Sequence, residues 1–320
     1  MVELRADPWR PDHSAGAEAP FDDDLPKPVV DTDVETTEWS VAVEPQRDAP
    51  APAIFVDGVM RTELRVLARD GDKRAWGLLG SVAAGAVRCD GFASFVAEDR
   101  PVERALVIGA RVEAPCLEVN VCGSALTYKA HSVANDTPEG LRIGLQRLML
   151  AAEQRLATAL ASDTLVFADG PLHLDARKGL PVVGVVKRMV KAYLEEPHSA
   201  LLPRLRPGQR TPLFAIGNNV VDRYAWYLRL VPQDPSWHEL AGLVRCEVRM
   251  SLGLEEALRI ADRVACHLPG YAGRVGIDPR APQNLTPVGA LEARLKHRLG
   301  SSALIGRALQ THLVEAAANG

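Results

Sequence analysis

Cysteine is scarce and unpaired in this chain: Cys89, Cys116, Cys122, Cys246 and Cys266 make an odd count with no CxxC spacing. Cys266-His267 has no second ligand pair at zinc-finger spacing, which argues against a disulfide framework and a structural zinc site. Reduced cysteines packed as small apolar side chains are the expectation. Long apolar runs are also missing. The longest uncharged one, Ala75 to Val87, is too short to cross a bilayer and is interrupted by Gly77, Gly80 and Gly85. The first thirty residues carry Asp and Glu throughout and no apolar signal core. These absences predict a soluble, cytoplasmic protein with no membrane partner. Walker A, GxGxxG after a strand and GxSxG are absent as well, which argues against an independent ATPase, a dinucleotide dehydrogenase and an α/β-hydrolase. If ATP drives the system, a partner hydrolyses it.

What is present is a globular composition: 320 residues, 47% hydrophobic and 24% charged, enough for one large domain or two small ones. The net charge of −4 conceals an asymmetry, with −9 in residues 1–50 and +5 in residues 51–320. The first segment is punctuated by Pro8, Pro11, Pro20, Pro26, Pro28, Pro45 and Pro50 and holds Asp22-Asp23-Asp24. It reads as an acidic, largely disordered arm, with Trp39 to Val43 able to add an edge strand to a body spanning 51–320. The mildly basic body is compatible with a phosphate backbone as partner.

The pattern changes at Ala53. Ile54 to Gly58, Leu64 to Ala68, Ala75 to Arg88, Ala105 to Ala110 and Cys116 to Val121 are short apolar runs separated by Gly and Asp turns, which predicts an antiparallel meander with bulges or tight turns at the glycines. Thr137-Pro138 opens a helix, by the rule that Pro suits the first helical position. Leu141, Leu145, Leu148, Ala152, Leu156 and Leu160 continue it at helical spacing to about Ser162. Thr164 to Gly170 and Pro181 to Val186 are further strands, the latter leading through Lys187-Arg188 into a helix ending at Leu194. Leu213 to Ile216, Arg223 to Leu230 and Leu243 to Met250 read as strands, and Leu254 to Leu268 and Val288 to Leu299 as helices. The fold class is α/β, an α+β mixed sheet in one domain.

Two strands end alike, Val56-Asp57-Gly58 and Ala168-Asp169-Gly170. Each delivers a carboxylate where the side chain can leave the core, followed by a residue that lets backbone or ligand approach closely; each also suits a plain turn. On the helix between them, Glu153 lies in phase beside the apolar stripe, and the 16 residues to Asp169 fit half a helix, a turn and a returning strand. Three carboxylates without Cys or His suit Mg²⁺ or Mn²⁺, and two such ions can activate water and stabilise a leaving phosphodiester oxygen. The same spacing fits a glutamate on the face of an amphipathic helix.

Together with these residues, Phe55-Val56-Asp57-Gly58, Phe167-Ala168-Asp169-Gly170-Pro171-Leu172, Val183-Gly184-Val185-Val186-Lys187-Arg188, Pro282-Gln283-Asn284-Leu285-Thr286-Pro287 and Leu291-Glu292 resemble, in order and spacing, the NurA nuclease family. The resemblance spans roughly residues 50–300 and leaves the arm uncovered. It implies an RNase H-like core with helical additions, a Mn²⁺-dependent (or Mg²⁺-dependent) DNA nuclease with 5′–3′ exonuclease and single-strand endonuclease activity, a homodimer, and partnership with a HerA-type hexameric ATPase at DNA ends. It implies that Asp57, Glu153 and Asp169 are catalytic metal ligands. Val59 departs from a serine common in the family. Where an Ala-His pair often stands, the chain reads Glu292-Ala293-Arg294, which leaves His297, and beside it Arg294, as auxiliary residues or the histidine as absent.

Lys187 follows an apolar strand, where an ammonium can meet a phosphate as a point charge; a solvated helix face is the alternative, and the stronger one for Arg188 and Lys191. Arg204, Arg206 and Arg210 flank Pro203, Pro207 and Gly208 in what reads as a mobile loop able to track a DNA backbone. Tyr224, Trp226 and Tyr227 suit core packing first and base stacking second. A different functional class also fits: a scaffold or regulatory subunit of a DNA-translocating ATPase complex with little activity of its own. The acidic arm suits a solubilising tail, or a DNA mimic that occupies the basic surface.

Overall fold

The structure, a computed structural model, describes residues 29–39, 43–44, 52–70, 72–96, 100–161, 164–172, 180–188, 192–217, 222–278 and 280–319. In chain order the elements are β1 (Val29–Asp31), β2 (Ala53–Asp70), β3 (Lys73–Asp90), β4 (Phe92–Val96), β5 (Glu103–Ile108), β6 (Leu117–Val121) and β7 (Ser124–Ser132). These are followed by α1 (Pro138–Leu160), β8 (Leu165–Asp169), β9 (Val182–Val186), β10 (Phe214–Gly217), β11 (Arg223–Arg229), β12 (Leu243–Arg249), α2 (Leu254–His267), α3 (Thr286–Arg298) and α4 (Ser302–Asn319). The chain forms two compact units interleaved in sequence: Met1–Val56 with Val87–Ser94 and Ala157–Ala290, and Asp57–Ala86 with Phe95–Leu156 and Leu291–Gly320. The strands β2 and β3 and the helices α1 and α3 each contribute residues to both.

In the first unit the strand order is β1-β10-β11-β12-β9-β8-β2. It is antiparallel from β1 through β9, then parallel from β9 to β8 and from β8 to β2. The central strands β9, β11 and β12 are buried at every residue, which is why β9 reads as an unbroken apolar run, while β11 and β12 bury arginines and Glu247 as well. α2 buries Ala257, Ile260, Ala261, Val264 and Ala265, an i, i+3, i+4 stripe. Another core gathers Trp39, Tyr193, Leu194, Leu201, Leu202, Phe214, Tyr227 and Leu243. Trp39 and β1 make the described part of the acidic segment an integral piece of this unit. The strand it contributes is Val29–Asp31, against β10; Val43 makes a single bridge to Arg210, and residues 40–42 lie outside the described ones.

In the second unit the order is β2-β3-β5-β7-β6. Alternation along each strand sorts the side chains onto two faces. Leu78, Val82, Ala105 and Val107 meet Leu141 and Leu145 of α1, while Leu79, Leu106, Ile108 and Tyr128 meet Ile305 and Leu309 of α4. Covering both faces explains the apolar β3 run; truncating Leu145 to Ala costs about 2–5 kcal/mol. The arrangement is not the pure antiparallel meander expected. β5 pairs with β7 in parallel, and β6 reaches β7 through a tight hairpin with Cys122 and Gly123 both at positive φ. The last turn of α3 is capped by arginines: Arg61 donates to the carbonyls of Leu299 and Gly300, and Arg104 to Leu299, while Glu63, its side chain buried, accepts from both and from Ser81.

Candidate active site

The second unit holds Asp57 and Glu153. Asp57 is the first polar residue after the buried run Ala53–Val56 and is itself only 5% exposed. α1 starts where expected: the Thr137 hydroxyl accepts from the Gly140 N–H at 3.1 Å, with Pro138 in the first turn. The phase set there brings Glu153 onto the buried stripe at 6% exposure, beside Ala152 and Leu156. Gly58 is what lets its carboxylate settle. A Cβ at position 58 would collide with Glu153 Oε1 and stand 2.9 Å from Met149 Cγ. Glu153 therefore lies against the backbone of the residue that follows Asp57. Two nearly buried carboxylates are costly without compensation, and an oxygen-only pair matches the donor preference of Mg²⁺ or Mn²⁺.

The first unit holds Asp169 and Lys187. β2, β8 and β9 are parallel neighbours, with Val56 opposite Ala168, Ala168 opposite Gly184 and Asp169 opposite Val185. Asp169 thus ends β8 as expected and Lys187 follows β9, whereas Asp57, next to Val56, lies inside β2, which runs on to Asp70 instead of ending at Gly58. Carboxyl ends of parallel strands are where open α/β sheets place ligands. Gly170 turns the chain away at φ +87°, a conformation that favours glycine, and its N–H donates to Val185 O at 2.9 Å. Lys187 Nζ donates to Asp169 Oδ1 at 2.8 Å and to Asn284 Oδ1 at 3.0 Å. The lysine does not begin a helix: it and Arg188 are in loop conformation, as are residues 192–195, while Lys191 lies outside the described residues.

The other predicted residues separate by burial. Arg204 is exposed in the last turn of a short 3-10 helix, and Arg206 is exposed with a 2.6 Å pair to Glu44. Arg188 is half-buried. Arg210 cannot track a DNA backbone. It is 1% exposed, with its guanidinium clamped bidentately on Glu35 at 2.8 and 3.0 Å and on Asp262 at 2.8 Å. The proline and glycine around it signalled a loop, but the charge partner lies 175 residues away in the acidic segment. In α3, Arg294 and His297 are exposed, Arg294 with its guanidinium 5.4 Å from the Phe95 ring centroid. Tyr224, Trp226 and Tyr227 are all buried, as core packing requires.

Sequence reasoning missed Asn284 as a partner of Lys187, Asp278 as the acceptor of the Asn284 amide, and the fully buried Glu247. Glu247 accepts from Arg245 at 2.9 Å and lies 3.4 Å from Arg223, with Arg245 stacked 4.5 Å from the Tyr193 centroid. Arg245 and Glu247 stand two apart on one strand and so share a face; nothing in local spacing signals the other pairs. Among the described residues no three His, Cys, Asp or Glu side chains are gathered closely enough to hold a metal ion. No helix among them is long and apolar enough to cross a membrane.

These observations define a mixed α/β protein with buried carboxylates in and against β2 and a lysine-carboxylate pair at the end of parallel strands. No family model matches the sequence, and no curated protein matches it. Among solved structures the chain is similar to the NurA nuclease from Sulfolobus solfataricus, at 12% identity over 85% of this chain and 88% of that one, with a TM-score of 0.46. Similarity at that level carries no functional conclusion.

Proposed function

We propose that the protein is a metal-dependent DNA nuclease with an RNase H-like core, in which Asp57, Glu153 and Asp169 hold Mn²⁺ or Mg²⁺ and Lys187 binds phosphate. The observation that carries this reading is the shared register of β2, β8 and β9, three parallel neighbours, with Asp57 inside β2 next to the paired Val56, Asp169 ending β8 and Lys187 following β9. Asp57 and Glu153 fit a hard divalent cation by their chemistry, and the absence of a side chain at Gly58 leaves room for the Glu153 carboxylate. When bound, such a cation lowers the pKa of water and neutralises charge on a phosphodiester, which offsets the repulsion of gathered carboxylates. Asp169 commits Oδ1 to Lys187 and has Oδ2 to offer. Lys187 places its ammonium against a non-bridging phosphate oxygen, and exposed Arg204 and Arg206 hold the flanking backbone.

The resemblance in sequence adds 5′–3′ exonuclease and single-strand endonuclease activity, a homodimer and a HerA-type hexameric ATPase partner to this reading. The test is cleavage of end-labelled single-stranded and duplex DNA with Mn²⁺, Mg²⁺ or EDTA, wild type beside Asp57→Ala. Metal-dependent cleavage lost in the variant supports the reading; folded Asp57→Ala protein with full activity overturns it. The alternative is a scaffold or regulatory subunit of a DNA-translocating ATPase complex. Stimulation of the ATPase without cleavage under any divalent metal, alone or with the ATPase, decides for that alternative.

A further inference from the structure

Asn284 occupies a position where only one orientation of a carboxamide satisfies its surroundings. It is fully buried. Its Oδ1 faces the Lys187 ammonium at 3.0 Å, a group that only donates, and its Nδ2 faces Asp278 Oδ2 at 2.6 Å, a group that only accepts when ionised. Reversing the amide would point N–H at ammonium and oxygen at carboxylate, losing two charge-assisted bonds at once. The scaffold behind it is equally committed. Asp278 Oδ1 accepts from the Arg280 N–H at 2.9 Å, the Asn284 N–H donates to Arg280 O at 3.1 Å, and Asn284 O accepts from Gly273 N–H at 2.5 Å.

Lys187 is only 8% exposed, and a flexible four-carbon stem ordinarily leaves an ammonium free to wander. Among the described residues, Asp169 and Asn284 take two of its three protons. We propose that Asn284, oriented by Asp278, is a positioning residue that holds the Lys187 ammonium so that its third proton meets a DNA phosphate oxygen. The assignment rests on the nuclease reading and extends it to two residues 91 and 97 positions further along the chain. Asp169 supplies charge to keep the lysine in place. Asn284 supplies direction without neutralising the charge that a phosphate needs.

The test uses full-length protein and fluorescein-labelled oligothymidine in EDTA, so that binding is read without metal or turnover. Wild type, Lys187→Met, Asn284→Ala, the isosteric Asp278→Asn and the double variant Lys187→Met/Asn284→Ala are titrated across a salt series, with thermal melts to confirm folding. Lys187→Met is expected to reduce the slope of log K against log salt by about 0.7, one single-strand phosphate contact. Asn284→Ala is expected to weaken binding about three- to tenfold at low salt and lose the same slope. Asp278→Asn shifts both in the same direction by less, since an amide at 278 can still accept or donate. In the Lys187→Met background Asn284→Ala adds nothing. A merely structural asparagine would leave the salt slope unchanged and act equally in both backgrounds, and that result overturns the assignment. Wild-type binding with Asn284→Ala and Asp278→Asn unchanged overturns it while sparing the nuclease reading. Should Asn284→Ala not fold, Asp278→Asn alone decides. A wild type that neither binds nor cleaves DNA overturns both.

Discussion

Lys187 and Asp169, at the ends of adjacent parallel strands, are joined by a 2.8 Å ion pair. The register makes this pairing necessary rather than incidental. With Asp169 opposite Val185, the lysine two residues on must either turn back to a carboxylate or bury its charge unpaired, which is far more costly. The pair gives an anionic substrate a cation already held in place. It also predicts distinct consequences for its two members.

Removing Asp169 takes away a proposed metal oxygen and the charge partner of Lys187 together. Removing Lys187 takes away the phosphate contact and the ion-pair partner of Asp169, but no proposed metal oxygen. Asp169→Asn is therefore expected to reduce Mn²⁺-dependent cleavage by about a hundredfold or more, with no recovery at high Mn²⁺. Lys187→Met is expected to raise KM and retain a rate that EDTA abolishes and excess Mn²⁺ restores. Single-turnover cleavage of labelled DNA across Mn²⁺ and DNA concentrations separates the two patterns. Equal losses in both variants, insensitive to either concentration, would contradict the division of roles.

Gly58 offers a test that touches neither carboxylate covalently. A methyl group there collides with the flexible end of Glu153 and with Met149. The glutamate can swing aside at little cost to the fold, but its oxygens are then displaced. Gly58→Ala is expected to weaken Mn²⁺ binding about 10- to 100-fold while Tm stays within about 4 °C of wild type. Calorimetric titration with Mn²⁺ beside a thermal melt checks both. A large loss of Tm with Mn²⁺ affinity intact would make Gly58 a packing residue only.

The sequence made some of this legible and hid the rest for identifiable reasons. The unbroken apolar run Val182–Val186 is buried on both faces, so its strand can be read directly. The Thr137-Pro138 start of α1 is likewise local chemistry, and its phase carries Glu153 to the core. β7 escaped notice because Ser124–Ser132 alternates polar and half-buried residues at a sheet margin. α4 escaped because its alanines and leucines surround the helix without a clear stripe. The Lys187–Asn284 and Arg210–Glu35 pairs join residues 97 and 175 positions apart. Only the tertiary fold creates them, and no motif spacing encodes them.

The five thiols provide an independent check of the two cores. Cys116 and Cys122 are exposed, whereas Cys89 and Cys246 are buried and burial pushes both thiols up. Thiolate is the reactive form, so a raised thiol pKa means less of it at any pH below that pKa. Labelling of native protein with a disulfide reagent at neutral pH is expected to modify the exposed Cys116 and Cys122 in a fast phase. Cys89 and Cys246 should follow only on unfolding. Mass spectrometry of the early product identifies the sites; early modification of Cys246 would contradict the burial of β12.

Arg206 and Arg210 lie four residues apart and both engage carboxylates of the acidic segment, but they should behave in opposite ways. The Arg206–Glu44 pair is open to solvent, with side chains 74% and 65% exposed, and such pairs contribute about 0–1 kcal/mol. DNA can displace Glu44 cheaply, so Arg206→Ala should leave stability within about 0.5 kcal/mol and lower DNA affinity in a salt-dependent way. Arg210 is buried, and Glu35 answers two of its nitrogens and the Leu213 N–H at 2.6 Å. Breaking a buried pair strands the remaining charge, at about 3–5 kcal/mol. Glu35→Ala should fall at the low end, since Asp262 still holds Arg210. Urea unfolding is expected to show a lowered midpoint for Glu35→Ala and an unchanged one for Arg206→Ala. If Glu35→Ala is as stable as wild type, the acidic segment is not fastened to the body through Arg210, and its docking through β1 and Trp39 alone must suffice.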